Sequence, residues 1–94
     1  MNCTKEDIAN WKKEGKTVEL LDIREFYETP EITDAHVKHL PMGDLLAHDF
    51  NAKTIYVLIC GSGKRATAAL RELVKHKTEV KLYSFKGGAE AYIA

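Results

Sequence analysis

Residues 55–74 constrain the fold of this chain more than any other stretch. Ile55-Tyr56-Val57-Leu58-Ile59 is an apolar run interrupted only by the Tyr56 hydroxyl, the composition of a strand buried on both faces of a parallel sheet. After Cys60-Gly61-Ser62-Gly63-Lys64-Arg65 come Ala66, Ala69, Leu70, Leu73 and Val74, spaced i, i+3, i+4, i+7 and i+8. That spacing is the apolar stripe of an amphipathic helix. Strand, tight loop and helix in this order predict an α/β domain with a mostly parallel central sheet, in which residues 55–59 form a central strand.

The loop carries the chemistry. Cys60 ends the strand, and the helix that follows starts with N–H groups that lack intrahelical partners and with the positive end of its dipole. An ordinary cysteine has a pKa of about 8.5, and lowering it by two units takes about 2.7 kcal/mol. A helix N-terminus supplies up to roughly 2 kcal/mol in favourable geometry. Lys64, Arg65 and the loop N–H groups are placed to supply the rest. Gly61 and Gly63 let the backbone turn several N–H groups toward the sulfur, and Ser62 adds a hydroxyl, so the segment reads as an anion cradle around a nucleophile.

The rest of the chain frames this unit. Thr4 caps a helix over 5–13, with Asp7 at the third helical position and Cys3 and Ile8 placed as a hydrophobic staple. Ile8 and Trp11 mark its inner face, and Gly15 suits a left-handed stop. Residues 17–23 form a strand that ends in Asp22-Ile23-Arg24. The C-terminal ends of parallel strands make the functional edge of such sheets, so Asp22 and Arg24 are expected near Cys60, positioning loops by pairing rather than reacting. A helical turn over 25–29 is closed by Pro30, an extended piece covers 35–40, and a short helix covers 43–48. Residues 80–85 alternate as a further strand. Gly87-Gly88 then makes a turn that permits positive φ or close backbone approach, and a last helix begins at Ala89.

Lys+Arg and Asp+Glu both number 14, so no sequence-wide field draws the chain to nucleic acid or an anionic membrane. The segment 1–7 is polar and acidic where a secretory signal has an apolar core, and no run approaches the roughly 18 residues of a membrane span. These features predict one cytoplasmic domain over 1–94. In a reducing compartment Cys3 and Cys60 are read as two thiols. His36 and His39 are three apart, but no further ligand completes a metal spacing, so no metal site is expected.

Gly63-Lys64 does not make a nucleotide P-loop, which needs glycine at Leu58 and Ser or Thr at Arg65. A cysteine-dependent phosphatase or arsenate reductase, in which a Cys loop wraps a tetrahedral oxyanion and an arginine closes it, is nearer. The residues resemble most fully the single-domain rhodanese-like sulfurtransferases. Asp22-Ile23-Arg24, Ala35-His36-Val37, the loop from Cys60 to Arg65 and Gly87-Gly88 stand in that family's order, and the resemblance covers nearly the whole chain. The arginine five residues after Cys60 gives the family's six-residue loop, one shorter than that of the protein phosphatases. A shorter loop makes a smaller pocket, sized for a terminal sulfur. The segment Lys38-His39-Leu40-Pro41 and Tyr92, where the family often has tryptophan, depart from its pattern.

The resemblance implies a three-layer α/β sandwich and a thiosulfate sulfurtransferase that works through a Cys60 persulfide without a cofactor. Gly61, Ser62, Gly63, Lys64 and Arg65 would bind the persulfide and the anionic donor, with Asp22 and Arg24 in support. The implied partners are a small sulfane-sulfur donor and a cyanide, thiol or protein acceptor. The alternatives are a cysteine-dependent phosphatase or arsenate reductase, and a non-catalytic sulfur carrier or interaction module.

Overall fold

The computed structural model describes residues 2–25, 31–45, 47–61, 64–76 and 79–94, with the backbone alone described for residues 64, 65 and 76. Among these residues the order is β1 (Asn2–Cys3), α1 (Lys5–Lys13), β2 (Thr17–Asp22), β3 (Val37–His39), a 3-10 turn (Met42–Asp44), β4 (Thr54–Ile59), α2 (Lys64–His76), β5 (Lys81–Phe85) and α3 (Gly88–Ile93). The five strands form one sheet in the order β1-β5-β4-β2-β3, and every neighbouring pair is parallel.

β4 lies at the centre, and all six of its residues are buried. Side chains alternate across a strand, which sends Tyr56, Leu58 and Cys60 toward Ala66, Ala69, Leu70 and Leu73 of α2, together with Leu45. Val57 and Ile59 point the other way, into a second cluster with Cys3, Leu20 and Phe85, closed by Ile8 of α1 and Ala89 of α3. The result is helix, sheet, helix, with the C-terminal ends of all strands on one edge.

α1 has the expected bounds. The Thr4 hydroxyl accepts the Asp7 N–H at 3.3 Å, and the Asp7 carboxylate accepts the Thr4 N–H at 2.9 Å. This reciprocal cap satisfies two otherwise orphaned donors. Cys3 and Ile8 are both buried in the same cluster, as a staple requires.

Three elements differ from expectation. Residues 43–48 do not form an α-helix: the chain makes a 3-10 turn over Met42–Asp44, with Leu46 outside the described residues. Pro41 starts the turn but offers no side-chain cap, Gly43 disfavours helix, and Leu45 is the buried apolar residue among those described in the segment. Val74 is 48% exposed although it sits on the sequence stripe of α2. At 3.6 residues per turn it lies about 80° around the helix from Ala66, at the margin of the buried face. β1 has only two residues, too few for a period to register. The turn expected over 25–29 and its closing Pro30 fall largely outside the described residues. No helix among the described residues is long and apolar enough to cross a membrane.

Candidate active site

Cys60 follows the last residue of β4 and has no exposed surface. Its Sγ accepts the Ala66 N–H at 3.3 Å. Ala66 is in the first turn of α2, where backbone N–H groups have no partner inside the helix, so the helix start faces the sulfur as its sequence position implies. Ser62, Gly63 and the side chains of Lys64 and Arg65 lie outside the described residues. The loop's remaining described member, Gly61, is half-buried.

Asp22 and Arg24 lie at the end of the neighbouring strand β2, where Ile23, not Asp22, shares the face of the sheet that carries Cys60. Asp22 pairs in register with Ile59, and the Ile23 N–H donates to the Ile59 carbonyl at 2.9 Å. Arg24 is 3% exposed and Asp22 8%. The guanidinium grips the carboxylate with two bonds, Nε to Oδ1 at 3.0 Å and Nη2 to Oδ2 at 3.2 Å, and the Arg24 N–H adds a third to Oδ1 at 3.1 Å. Such a bidentate pair fixes the chain where β2 ends. The His39 ring, at the end of β3, meets the Arg24 carbonyl through Nε2, so three strand ends are tied together next to Cys60. Nothing in the sequence signalled the His39 contact, because an alternating extended piece does not show which carbonyl a ring will reach.

The Gly87-Gly88 turn touches the same loop. Gly88 has φ +69°, and a Cβ placed there would lie 2.4 Å from the Gly61 carbonyl oxygen and 2.5 Å from that of Cys60. Next to it, the Ala89 N–H donates to the Cys60 carbonyl at 2.6 Å. Of the two uses a glycine turn allows, this one combines positive φ with close approach of two backbones.

Cys3 is not part of this assembly. β5 lies between β1 and β4, which separates the two thiols by roughly 9.5 Å, two strand spacings. They also belong to opposite faces of the sheet. A disulfide needs Cα atoms within about 7 Å and converging Cβ vectors. Neither cysteine is in a disulfide, and burial, with Asp7 nearby, pushes the Cys3 thiol up to about 12. Among the described residues no group of three His, Cys, Asp or Glu is placed to hold a metal ion.

The family model for the rhodanese-like domain matches residues 4–94. The chain belongs to the rhodanese-like domain family. Sulfurtransferases and domains of persulfide reductases are both found in it. The rhodanese homolog from the extremely thermophilic bacterium Thermus thermophilus superposes with a TM-score of 0.69 at 22% identity, over 97% of this chain and 99% of that one. A rhodanese-like domain protein from Staphylococcus aureus gives a TM-score of 0.73 at 25% identity, over 97% and 89% of the two chains. A NAD-dependent persulfide reductase from A. fulgidus is 26% identical with a TM-score of 0.60, over 87% of this chain but only 17% of that enzyme. Among curated proteins compared by sequence, none matches. The rhodanese-like fold of these neighbours is the three-layer arrangement described above, in which Cys60 follows the C-terminal end of the central strand.

Proposed function

We propose that this domain is a sulfurtransferase that moves sulfane sulfur from a donor such as thiosulfate to a thiophilic acceptor, cyanide or a thiol, through a persulfide on Cys60. The observation that carries the reading is the Cys60 sulfur facing the first turn of α2, with the Ala66 N–H on Sγ at 3.3 Å, in a chain of the rhodanese-like family. In the first step the Cys60 thiolate attacks the outer sulfur of thiosulfate, and the S–S bond breaks. Sulfite leaves with the bonding pair. In the second step the acceptor attacks the outer sulfur of the persulfide, and the Cys60 thiolate leaves. No net oxidation occurs across the cycle. N–H groups aimed at the sulfur stabilise the anion in both states, and Lys64 and Arg65 attract the anionic donor. The acceptor comes from outside the domain, since Cys3 faces the other side of the sheet.

Six residues from Cys60 to Arg65 support sulfur over phosphorus, because a tetrahedral oxyanion needs a wider loop. Cys60 has no exposed surface in this conformation, so turnover requires that the thiol become accessible to the donor. The test is thiocyanate formation from thiosulfate and cyanide. Turnover abolished in Cys60→Ser supports the proposal. Turnover retained in Cys60→Ser, or phosphate release from an aryl phosphate that depends on Cys60 with no thiocyanate formed, overturns it.

A further inference from the structure

α3 has six residues (Gly88–Ile93), too few to hold a helix without tertiary support. Its N-terminal turn is engaged with the Cys60 loop through Gly88 and the Ala89 N–H. Burial of Ala89 in the second core cluster helps to keep it there, and further contacts act on its other end, where Lys5 Nζ donates to the Ala94 carbonyl at 3.1 Å. At that end the Tyr92 hydroxyl donates to Asp34 Oδ2 at 2.8 Å. The Tyr92 ring meets Phe85 edge to face, with centroids 5.2 Å apart, and Lys5 Nζ lies 5.1 Å from its centroid. Asp34 is itself fixed, since Oδ1 accepts the His36 N–H at 2.9 Å, one residue before β3 begins at Val37.

A cavity of about 400 Å³ lies between α1, α3 and the segment 31–34, with Ile8, Leu20, Ile32, Asp34 and Tyr92 among its walls. Ile32 of that segment and Tyr92 of α3 both pack against the second core cluster. The phenol–carboxylate bond crosses the gap. The ionisation of both groups fits such a bond: the His36 N–H and then the Tyr92 hydroxyl pull the Asp34 carboxyl below its usual range. Burial and then the Asp34 bond push the Tyr92 phenol up to about 12.

We propose that Tyr92 is a positioning residue for the Cys60 loop: its hydroxyl, bonded to Asp34, holds α3 in place, and α3 holds the Cys60 carbonyl through the Ala89 N–H. The link runs from the entry to β3, through one helix, to the residue that follows β4. Its catalytic consequence rests on the reading of Cys60 as the reacting thiol. Its structural content does not.

The direct readout is amide hydrogen exchange of Ala89, measured by NMR beside that of Leu58 in the middle of β4. Tyr92→Phe and Asp34→Ala each remove the bond and make Ala89 exchange about fivefold faster, the factor for one ordinary hydrogen bond. Asp34→Asn keeps its oxygen for the His36 N–H and turns its Nδ2–H toward the Tyr92 oxygen, so a bond of reversed direction restores the slow rate. The double variant Tyr92→Phe/Asp34→Ala is no faster than either single one. Ile55→Val lowers global stability from the far end of β4, and it speeds Leu58 without speeding Ala89. An Ala89 rate unchanged in Tyr92→Phe, a rate equally raised by Ile55→Val, or an Asp34→Asn variant as fast as Asp34→Ala overturns the proposal. Persulfide formation follows the same order, slowed in Tyr92→Phe and Asp34→Ala and normal in Asp34→Asn. If no variant and no wild-type protein forms persulfide, the sulfurtransferase reading fails while the exchange rates still decide the clamp.

Discussion

Replacing Gly88 with alanine tests whether the turn after β5 is part of the site. The new Cβ would stand 2.4 Å from the Gly61 oxygen, 2.5 Å from the Cys60 oxygen and 2.7 Å from the Gly61 carbonyl carbon. All three are backbone atoms, so no side chain can rotate away, and relief requires α3 or the Cys60 loop to move by most of an ångström. Overpacking of this kind costs about 1–3 kcal/mol, and an L side chain at φ +69° adds roughly 1 kcal/mol. The movement also strains the 2.6 Å bond from the Ala89 N–H to the Cys60 carbonyl. The expected loss of stability is about 3 kcal/mol by urea denaturation. In protein that remains folded, persulfide formation should fall by at least roughly tenfold, since misplacement of a reacting atom by about 1 Å is costly. Gly87→Ala is the control. Its Cβ would meet only the Ala91 side chain, at 2.8 Å, with φ +82°, so it should lose stability but keep the rate of the thiol. Wild-type stability and rate in Gly88→Ala, or an equal loss of rate in Gly87→Ala, would refute the assignment.

Arg24→Ala leaves the Asp22 carboxylate buried without its guanidinium, and urea titration should show a loss of about 3 kcal/mol. Arg24→Lys should recover only part of it, because an ammonium cannot make the two parallel bonds. Alkaline pH should weaken the fold through Cys3 and Tyr92, whose folded pKa values are both pushed up to about 12 from ordinary values of 9.0 and 10.0. The unfolded chain releases these protons first, so stability is full below pH 9 and falls as pH rises from there toward 12. Cys3→Ala should flatten the onset of that fall in urea titrations between pH 9 and 10, and an unchanged onset would contradict the burial argument. Gly43 has open space around its Cβ position and no positive φ, so Gly43→Ala should raise the thermal midpoint, by about 0.4–1 kcal/mol of stability. A fall would show that the turn over Met42–Asp44 needs glycine after all.

Those residues also show what a sequence of this kind discloses. Residues 55–59 read correctly as a central strand because burial on both faces leaves an unbroken apolar run, and α1 read to the residue because Thr4 and Asp7 form its cap. Cys60 stood out because a thiol between such a strand and a helix start has few structural uses. The grip of Arg24 on Asp22 was foreshadowed by the i, i+2 spacing at a strand end. What did not show were contacts made by groups every residue has. The Ala89 N–H on the Cys60 carbonyl and the Arg24 carbonyl on His39 involve backbone atoms, which carry no mark in the sequence. Gly87-Gly88 signalled close approach but not to what. β1 was hidden by its length. Val74 misled because the apolar stripe of a helix does not state how wide a face its partner covers.

The most direct test of the central claim is the mass of the protein and of its Cys60 peptide after incubation with thiosulfate and removal of the excess. One added sulfur atom, located on Cys60, absent from Cys3 and lost on treatment with cyanide, is the predicted result. A protein that acquires no sulfur from any sulfane donor, or acquires it on Cys3 while Cys60 stays unmodified, would contradict the account.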